Sequence, residues 1–193
     1  MITHIQGRLT EKNPTDVVID CNGVGYQLNI SLHTYSQIPD KEHLKLYTHF
    51  QVKEDSQTLY GFASLAEREI FRLLISVNGI GASIARTMLS SLTPNQIKEA
   101  IASEDVHSIQ SVKGIGNKTA QRVIIELKDK ILKVYDIDES STIKNNTNKD
   151  EALSALEVLG FNKKQSERVV ERIIASQQDA SVEVIIKEAL KNL

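Results

Sequence analysis

The amino-acid sequence predicts a multidomain α+β protein: a β-barrel, an all-helical region and a small helical unit at the C-terminus. Three observations support this. Hydrophobic residues alternate with polar or small ones through the first 63 residues, as in half-buried strands. From Ser64 onward they recur at helical spacing. A polar stretch at 136–150 then separates a final segment that also has helical spacing.

The first domain, residues 1–63, is predicted to hold five short strands. Ile2–Leu9 and Val17–Ile19 are two of them, and Leu59–Phe62 is another. The clearest alternation is in the remaining two, at Val24, Tyr26, Leu28 and Ile30 and at Leu44, Leu46, Thr48, Phe50 and Val52. Asn22-Gly23 indicates a hairpin turn, because both residues tolerate positive φ. Five strands in about 60 residues are typical of an OB-fold, a five-stranded barrel.

The second domain, residues 64–135, is predicted to contain about five helices. Ser64 and Glu67 form a capping-box pattern, in which Glu67 would reach back to the start of its helix. Thr93 and Gln96 repeat the signal, with Pro94 at the first helical position. Residues 64–133 carry 10 basic and 7 acidic side chains and are the only net-positive segment, although the whole chain has net charge −2. This charge suits a phosphate-binding module.

The polar residues 136–149 are predicted to be a flexible linker, because they offer too little apolar surface to offset chain entropy. Residues 150–193 then form three short helical patterns, with Gly160 ending the first helix and Asn162 capping the second. A tethered unit of this size is typical of a docking module. The candidate docking residues, which could equally be core, are Leu159, Val170 and Ile185.

A repeated segment in the helical domain carries the strongest functional signal. Val77–Ala85 recurs as Val112–Ala120, with matching Val, Gly, Ile, Gly and Ala, 35 residues further on. Each copy places a Gly-Ile-Gly turn before a helix, whose opening amides lack intrahelical acceptors and attract anions. The isoleucines, Ile80 and Ile115, are expected to point into the core. Two such sites on one unit predict a polyanion as ligand, with nucleic acid as the first candidate. The paired copies resemble helix-hairpin-helix motifs that grip duplex DNA, and such phosphate contacts carry no base sequence information.

The predicted phosphate-binding residues lie within these two copies or one turn beyond them. They are Gly79, Gly81, Ser83, Arg86, Gly114, Gly116, Lys118 and Arg122. Ser83 occupies the position that Lys118 has in the second copy, so we expect the first hairpin to bind phosphate more weakly.

Composition predicts neither a cofactor nor a metal site. Cys21 is the only cysteine, which excludes an internal disulfide and a cysteine-based zinc site, and the five histidines have no metal-ligand spacing. The sequence shows no bilayer-spanning apolar run and no signal peptide, which predicts a cytoplasmic location.

Two enzymatic hypotheses compete with a binding role. Gly114–Thr119 resembles a phosphate-binding P-loop, but Asn117 stands where that motif needs glycine, so we reject ATP binding by this chain. The second copy also resembles the hairpin of some DNA glycosylases, with Lys118 as nucleophile and Asp136 as its acidic partner. The low aromatic content, 5%, disfavours a base-flipping pocket. A generic module that recruits a motor to any duplex is a third alternative.

Glu54 and Asp55 lie between two predicted strands, at what composition suggests is a solvated hairpin tip. In a DNA-binding protein, two carboxylates near phosphates would instead repel them. The surrounding stretch, Thr48–Phe62, resembles the signature of the RuvA family, the Holliday-junction-binding subunits of bacterial RuvAB branch-migration complexes. Gly23–Tyr26, both hairpins in their order and the C-terminal helical unit are similar to that family as well.

The resemblance implies a non-catalytic subunit of an ATP-dependent DNA helicase complex, acting in recombination and DNA repair. It implies a homotetramer, with one or two tetramers on a four-way junction held open and square. Glu54 and Asp55 would form an acidic pin at the junction centre, and the paired hairpins would hold each duplex arm. The C-terminal domain would dock the RuvB hexameric ATPase, which supplies translocation, and the RuvC resolvase is a further implied partner.

Overall fold

The computed structural model describes residues 1–39, 42–139, 148–177 and 180–193. The chain separates into two compact units, Met1–Ser141 and Thr142–Leu193. The first unit contains the predicted barrel, followed by helices, and the second is helical, which confirms the predicted fold class.

The barrel is closed, with strand order β1-β2-β3-β5-β4. Its five strands are β1 His4–Lys12, β2 Asp16–Cys21, β3 Val24–Asn29, β4 His43–Val52 and β5 Gln57–Phe62. The pairings are antiparallel except for a short parallel contact between β3 and β5. The alternating residues Val17, Ile19, Leu28 and Leu46 fill the interior. Asn22 and Gly23 both have positive φ, as predicted for the β2–β3 turn.

A short helix, α1 (Leu32–Gln37), lies between β3 and β4 and was not predicted. Its N-cap is Ser31, whose Oγ accepts a hydrogen bond from Thr34 N at 2.9 Å. Six residues are too few to show a helical hydrophobic period.

Five helices follow the barrel in the first unit: α2 Leu65–Ser76, α3 Ala82–Ser91, α4 Pro94–Ala102, α5 Val106–Gln110 and α6 Asn117–Glu139. Their shared core includes Phe71, Leu74, Met88, Ile101 and Leu127. The Thr93–Gln96 capping box forms in both directions, as predicted.

Helix α6 continues through Glu139, although the predicted linker begins at residue 136. Extending an existing helix adds one hydrogen bond per residue fixed, so a helix can continue into polar sequence that would not start one. The predicted flexibility of residues 140–147 lies outside the described residues.

The second unit contains α7 Asn148–Val158, α8 Lys163–Ser176 and α9 Val182–Asn192. They pack around Ala152, Leu156, Val170, Ile185 and Ala189. Gly160 follows α7 with φ +94°, and Asn162 Oδ1 caps α8 by accepting from Lys164 N at 3.0 Å, both as predicted.

Candidate nucleic-acid interface

The first hairpin joins α2 to α3 through a turn that only glycine adopts easily. Gly79 has φ +96°, a backbone conformation that penalises residues with a Cβ. Ile80 N donates to Val77 O at 3.0 Å and closes the turn. The Ile80 side chain is buried, so it fixes the hairpin to the helical core as predicted.

The second hairpin, between α5 and α6, repeats this geometry closely. Gly114 has φ +93°, and Ile115 N donates to Val112 O at 3.1 Å. Ile115 is buried in the same core cluster as its counterpart in the first copy. In both copies the second glycine accepts the first helical hydrogen bond, at 3.0 Å for Gly81 and 2.9 Å for Gly116. The sequence repeat is therefore a structural repeat.

Gly81 and Gly116 differ from the first glycines because the fold does not require them. Gly81 has φ −83° and ψ 166°, which any residue can adopt. A Cβ at Gly81 or Gly116 would meet nothing within 4 Å. Gly81 is the N-cap of α3 and makes no side-chain cap, although Ser or Asp would cap better there. Glycine thus leaves the helix-opening amides open to close approach by an anion.

The two hairpins lie side by side. A Cβ at Gly79 would lie 4.0 Å from the side chain of Thr119, in the first turn of α6. Arg122, also on α6, donates from Nη1 to Asn78 O at 3.1 Å. These contacts hold the turn before α3 against the first turns of α6.

The polar side chains predicted to assist phosphate binding fall into two groups. Ser83 and Lys118 are exposed in the first turns of α3 and α6. Arg86 instead is half-buried against the barrel, where its Nη1 donates to Asn29 Oδ1 at 2.7 Å and to Thr15 O at 3.3 Å. Nη1 is thus engaged by the barrel, and the role of Arg86 as a phosphate ligand stays a prediction. Arg122 is half-exposed and divides its guanidinium between Asn78 and a weak contact with Glu126.

The helix geometry is incompatible with the pairing of Lys118 and Asp136 that the glycosylase hypothesis needs. Lys118 and Asp136 both belong to α6. An α-helix rises 1.5 Å per residue, so their backbones lie about 27 Å apart along one helix. An acidic partner at that distance cannot activate Lys118.

Glu54 and Asp55 lie in the exposed turn between β4 and β5. Lys53 N donates to Ser56 O at 2.8 Å across the turn. Asp55 Oδ1 accepts from Ser56 Oγ at 3.2 Å. The prediction of an acidic hairpin tip is thus matched by the fold.

A buried carboxylate between the barrel and the helices is the feature that sequence reasoning missed. Ser64 caps α2 as predicted, but Glu67 does not reach back to it. Its carboxylate is fully buried and accepts from Ser31 Oγ and Thr34 Oγ1, each at 2.6 Å. Ala63 N donates to it as well, at 3.3 Å. The capping-box prediction for Glu67 is therefore wrong, because tertiary hydroxyl partners from α1 replace the local one.

His49, on β4, faces the helical core, with its ring centroid 5.4 Å from that of Phe71. Burial lowers its pKa from the usual value, and the positive charges of Arg72 and Arg68 lower it further.

The described residues hold no group of three or more His, Cys, Asp or Glu that could bind a metal ion. Within those ranges, no helix is both long and apolar enough to cross a membrane.

Comparison with known proteins identifies the family. Residues 1–61 match the RuvA N terminal domain, and residues 147–193 match the RuvA C-terminal domain. Residues 71–129 match the SAM-like helix-hairpin-helix tandem. The Holliday junction branch migration complex subunit RuvA of Flavobacterium psychrophilum is 67% identical over 193 residues, the whole of both chains. The chain belongs to the RuvA family.

Other RuvA proteins are similar over their full length. The chain is 65% identical to the subunit of Christiangramia forsetii and 46% identical to that of Bacteroides thetaiotaomicron. The RuvA N-terminal match contains the barrel and its acidic tip, and the tandem match contains both hairpins.

The RuvA C-terminal match contains the predicted docking residues, and the structure separates them. Val170 is fully buried and Ile185 is 1% exposed, so both form the core of α7–α9. Their prediction as docking residues is corrected, because a buried side chain cannot face a partner. Leu159 is 58% exposed and lies beside Val158, which is 88% exposed. These two residues form an apolar patch at the end of α7.

Proposed function

We propose that this chain is a DNA-binding subunit that recognises four-way junctions, holds them open and square, and recruits a RuvB-type ATPase for branch migration. The observation that carries the proposal is the pair of hairpins with matching backbone geometry and adjacent helix N-termini. Full-length relatives named as Holliday junction branch migration complex subunits support the junction as ligand.

The hairpins would hold duplex arms by their phosphates. Helix-opening amides donate to phosphate oxygens, and the helix dipole adds partial positive charge at the same place. Gly81 and Gly116 allow the backbone to come close to the strand. Lys118 adds a charge-assisted contact in the second hairpin. Such contacts fix position and carry no base sequence, as a subunit that must slide along DNA requires.

The acidic tip would act by repulsion. In a homotetramer, four copies of Glu54 and Asp55 would meet at the junction centre, where they keep strands apart while these exchange partners. The double substitution Glu54→Gln and Asp55→Asn should leave junction affinity unchanged or raise it, because a repulsion is removed. Weaker binding by this variant would contradict the pin.

The second unit would dock the motor, so the chain acts as an accessory subunit and the motor supplies ATP hydrolysis. The exposed patch of Val158 and Leu159 is the candidate contact. Replacing both with serine should preserve junction binding and slow motor-driven migration. Val184→Ser, at a residue 40% exposed on α9, is the matched control outside the patch. An unchanged migration rate in the double variant would exclude the patch.

The deciding experiment compares affinities for a four-way junction and a linear duplex of equal length. Fluorescence anisotropy at several salt concentrations is suitable, because phosphate contacts give a steep salt dependence. We expect tighter binding to the junction. Equal affinity for both would indicate a generic duplex-binding module. No binding to either would refute a DNA-binding role.

A further inference from the structure

Arg86 joins the first hairpin to the barrel. It lies one turn into α3, and its Nη1 donates to Asn29 Oδ1 at 2.7 Å and to Thr15 O at 3.3 Å. Asn29 ends β3 and pairs with Asp16, the first residue of β2. Arg86 therefore binds the open end of the β2–β3 hairpin, where two strands of the barrel meet the helical domain.

A second contact lies one turn further along α3. Ser90 Oγ accepts from Leu32 N, at the start of α1, at 3.1 Å. The same hydroxyl donates to Arg86 O at 2.8 Å. Helix α3, whose N-terminus is the first anion site, is thus tied to the barrel at two successive turns.

The second hairpin is tied to the first one. Arg122 binds Asn78 O, and Thr119 lies against Gly79. The orientation of both anion sites relative to the acidic tip therefore depends on how α3 sits on the barrel, together with the contacts of α2 through Glu67 and Phe71.

We propose that Arg86 is a positioning residue that sets the direction in which the hairpins present a DNA arm, and so determines preference for the four-way junction over linear duplex. This proposal rests on the junction-binding function proposed above. A linear duplex needs the hairpins of one subunit, in any orientation. A junction engages several subunits at once, and multivalent binding is lost when geometry prevents simultaneous contact.

Arg86→Met tests this by removing the donors while keeping the apolar stem. We expect junction affinity to fall about tenfold, a part of the roughly 10²- to 10⁴-fold that simultaneous contact by several subunits can contribute. Linear-duplex affinity and the slope of log K against log salt should stay unchanged, because no phosphate contact is lost. Lys118→Met is the matched comparison. It should weaken binding to both the junction and the linear duplex, and it should reduce the slope of log K against log salt by about one.

Asn29→Ala removes the nearer of the two acceptors of Arg86 and keeps both the Arg86 charge and the contact with Thr15 O. A positioning role predicts a junction-specific loss no larger than that of Arg86→Met, and a double variant that loses no more than Arg86→Met alone. A phosphate-binding role predicts that Asn29→Ala does not weaken binding, and that Arg86→Lys restores the affinity that Arg86→Met loses.

Equal losses for both ligands with a reduced salt slope in Arg86→Met would overturn the proposal, as would unchanged affinity for both. If the unmodified protein itself shows no preference for the junction, the proposed function fails before Arg86 is tested. The two failures are therefore distinguishable.

Discussion

Gly81→Ala tests whether the glycine at this position serves ligand binding and not protein stability. The backbone at Gly81, with φ −83° and ψ 166°, accepts alanine, and the added methyl would meet no atom within 4 Å. Alanine is a poorer N-cap than glycine by about 0.5–1 kcal/mol. It also lowers the entropy of the unfolded chain, which contributes about 0.4–1 kcal/mol of opposite sign. The free energy of unfolding should therefore change by less than about 1 kcal/mol.

The same methyl would stand in front of the amides that open α3. Displacing a phosphate from one amide loses a hydrogen bond to a charged group, about 1.5–3 kcal/mol. That loss corresponds to a dissociation constant about 10- to 150-fold higher. Gly116→Ala should behave alike, because a Cβ at Gly116 also meets nothing within 4 Å.

The assay pairs urea unfolding with junction titration by anisotropy. Gly79→Ala is the control, because its φ of +96° should cost about 1–2 kcal/mol of stability. Gly81→Ala should thus lose affinity at constant stability, and Gly79→Ala should lose stability. Junction affinity within twofold of the unmodified protein in both Gly81→Ala and Gly116→Ala would refute close phosphate approach at these amides.

Three further predictions concern charge and burial. Ser83→Lys should tighten DNA binding and steepen the slope of log K against log salt by about one, because it adds the cation that the second hairpin has at Lys118. Thr87→Lys, which adds the same charge one turn further along α3, is the control for position. Glu67→Ala should cost about 3 kcal/mol or more in urea unfolding, because two 2.6 Å hydrogen bonds to a buried carboxylate are lost; a loss under 1 kcal/mol would contradict this. Because the pKa of His49 is lowered in the folded protein, the unfolded chain binds a proton at this residue at a higher pH than the folded chain does. The free energy of unfolding should therefore keep its full His49 contribution above pH 6.5 and decline as the pH falls below that value. His49→Phe should flatten this part of the pH–stability profile.

The hairpins could be predicted from sequence because their determinants are local. A positive φ requires glycine at Gly79 and Gly114, and the isoleucine that follows each must be buried to fix the turn. Each feature involves residues a few positions apart. The barrel strands were predictable for a similar reason, since alternation along one strand records which face is buried.

Glu67 shows why other features could not be predicted. Its spacing from Ser64 matches a capping box, yet its partners Ser31 and Thr34 lie 36 and 33 residues earlier. No periodic pattern connects residues at that separation. A buried carboxylate is stable only when its oxygens accept hydrogen bonds. The hydroxyl donors at α1 therefore determine the orientation of the Glu67 side chain, and the local capping preference does not. Asn29, which accepts a hydrogen bond from Arg86, lies 57 residues earlier and could not be predicted for the same reason.

The differences between the two hairpins lie at positions where the repeat does not match. The matched residues, Val, Gly, Ile, Gly and Ala, build the same turn twice. Arg86 anchors the first copy to the barrel, and the equivalent position in the second copy is Gln121, which is exposed. Arg122 connects the second copy to the first, and its equivalent is Thr87, whose hydroxyl bonds within α3. Matched residues therefore specify the backbone of the turn, and unmatched residues specify which part of the protein each hairpin contacts.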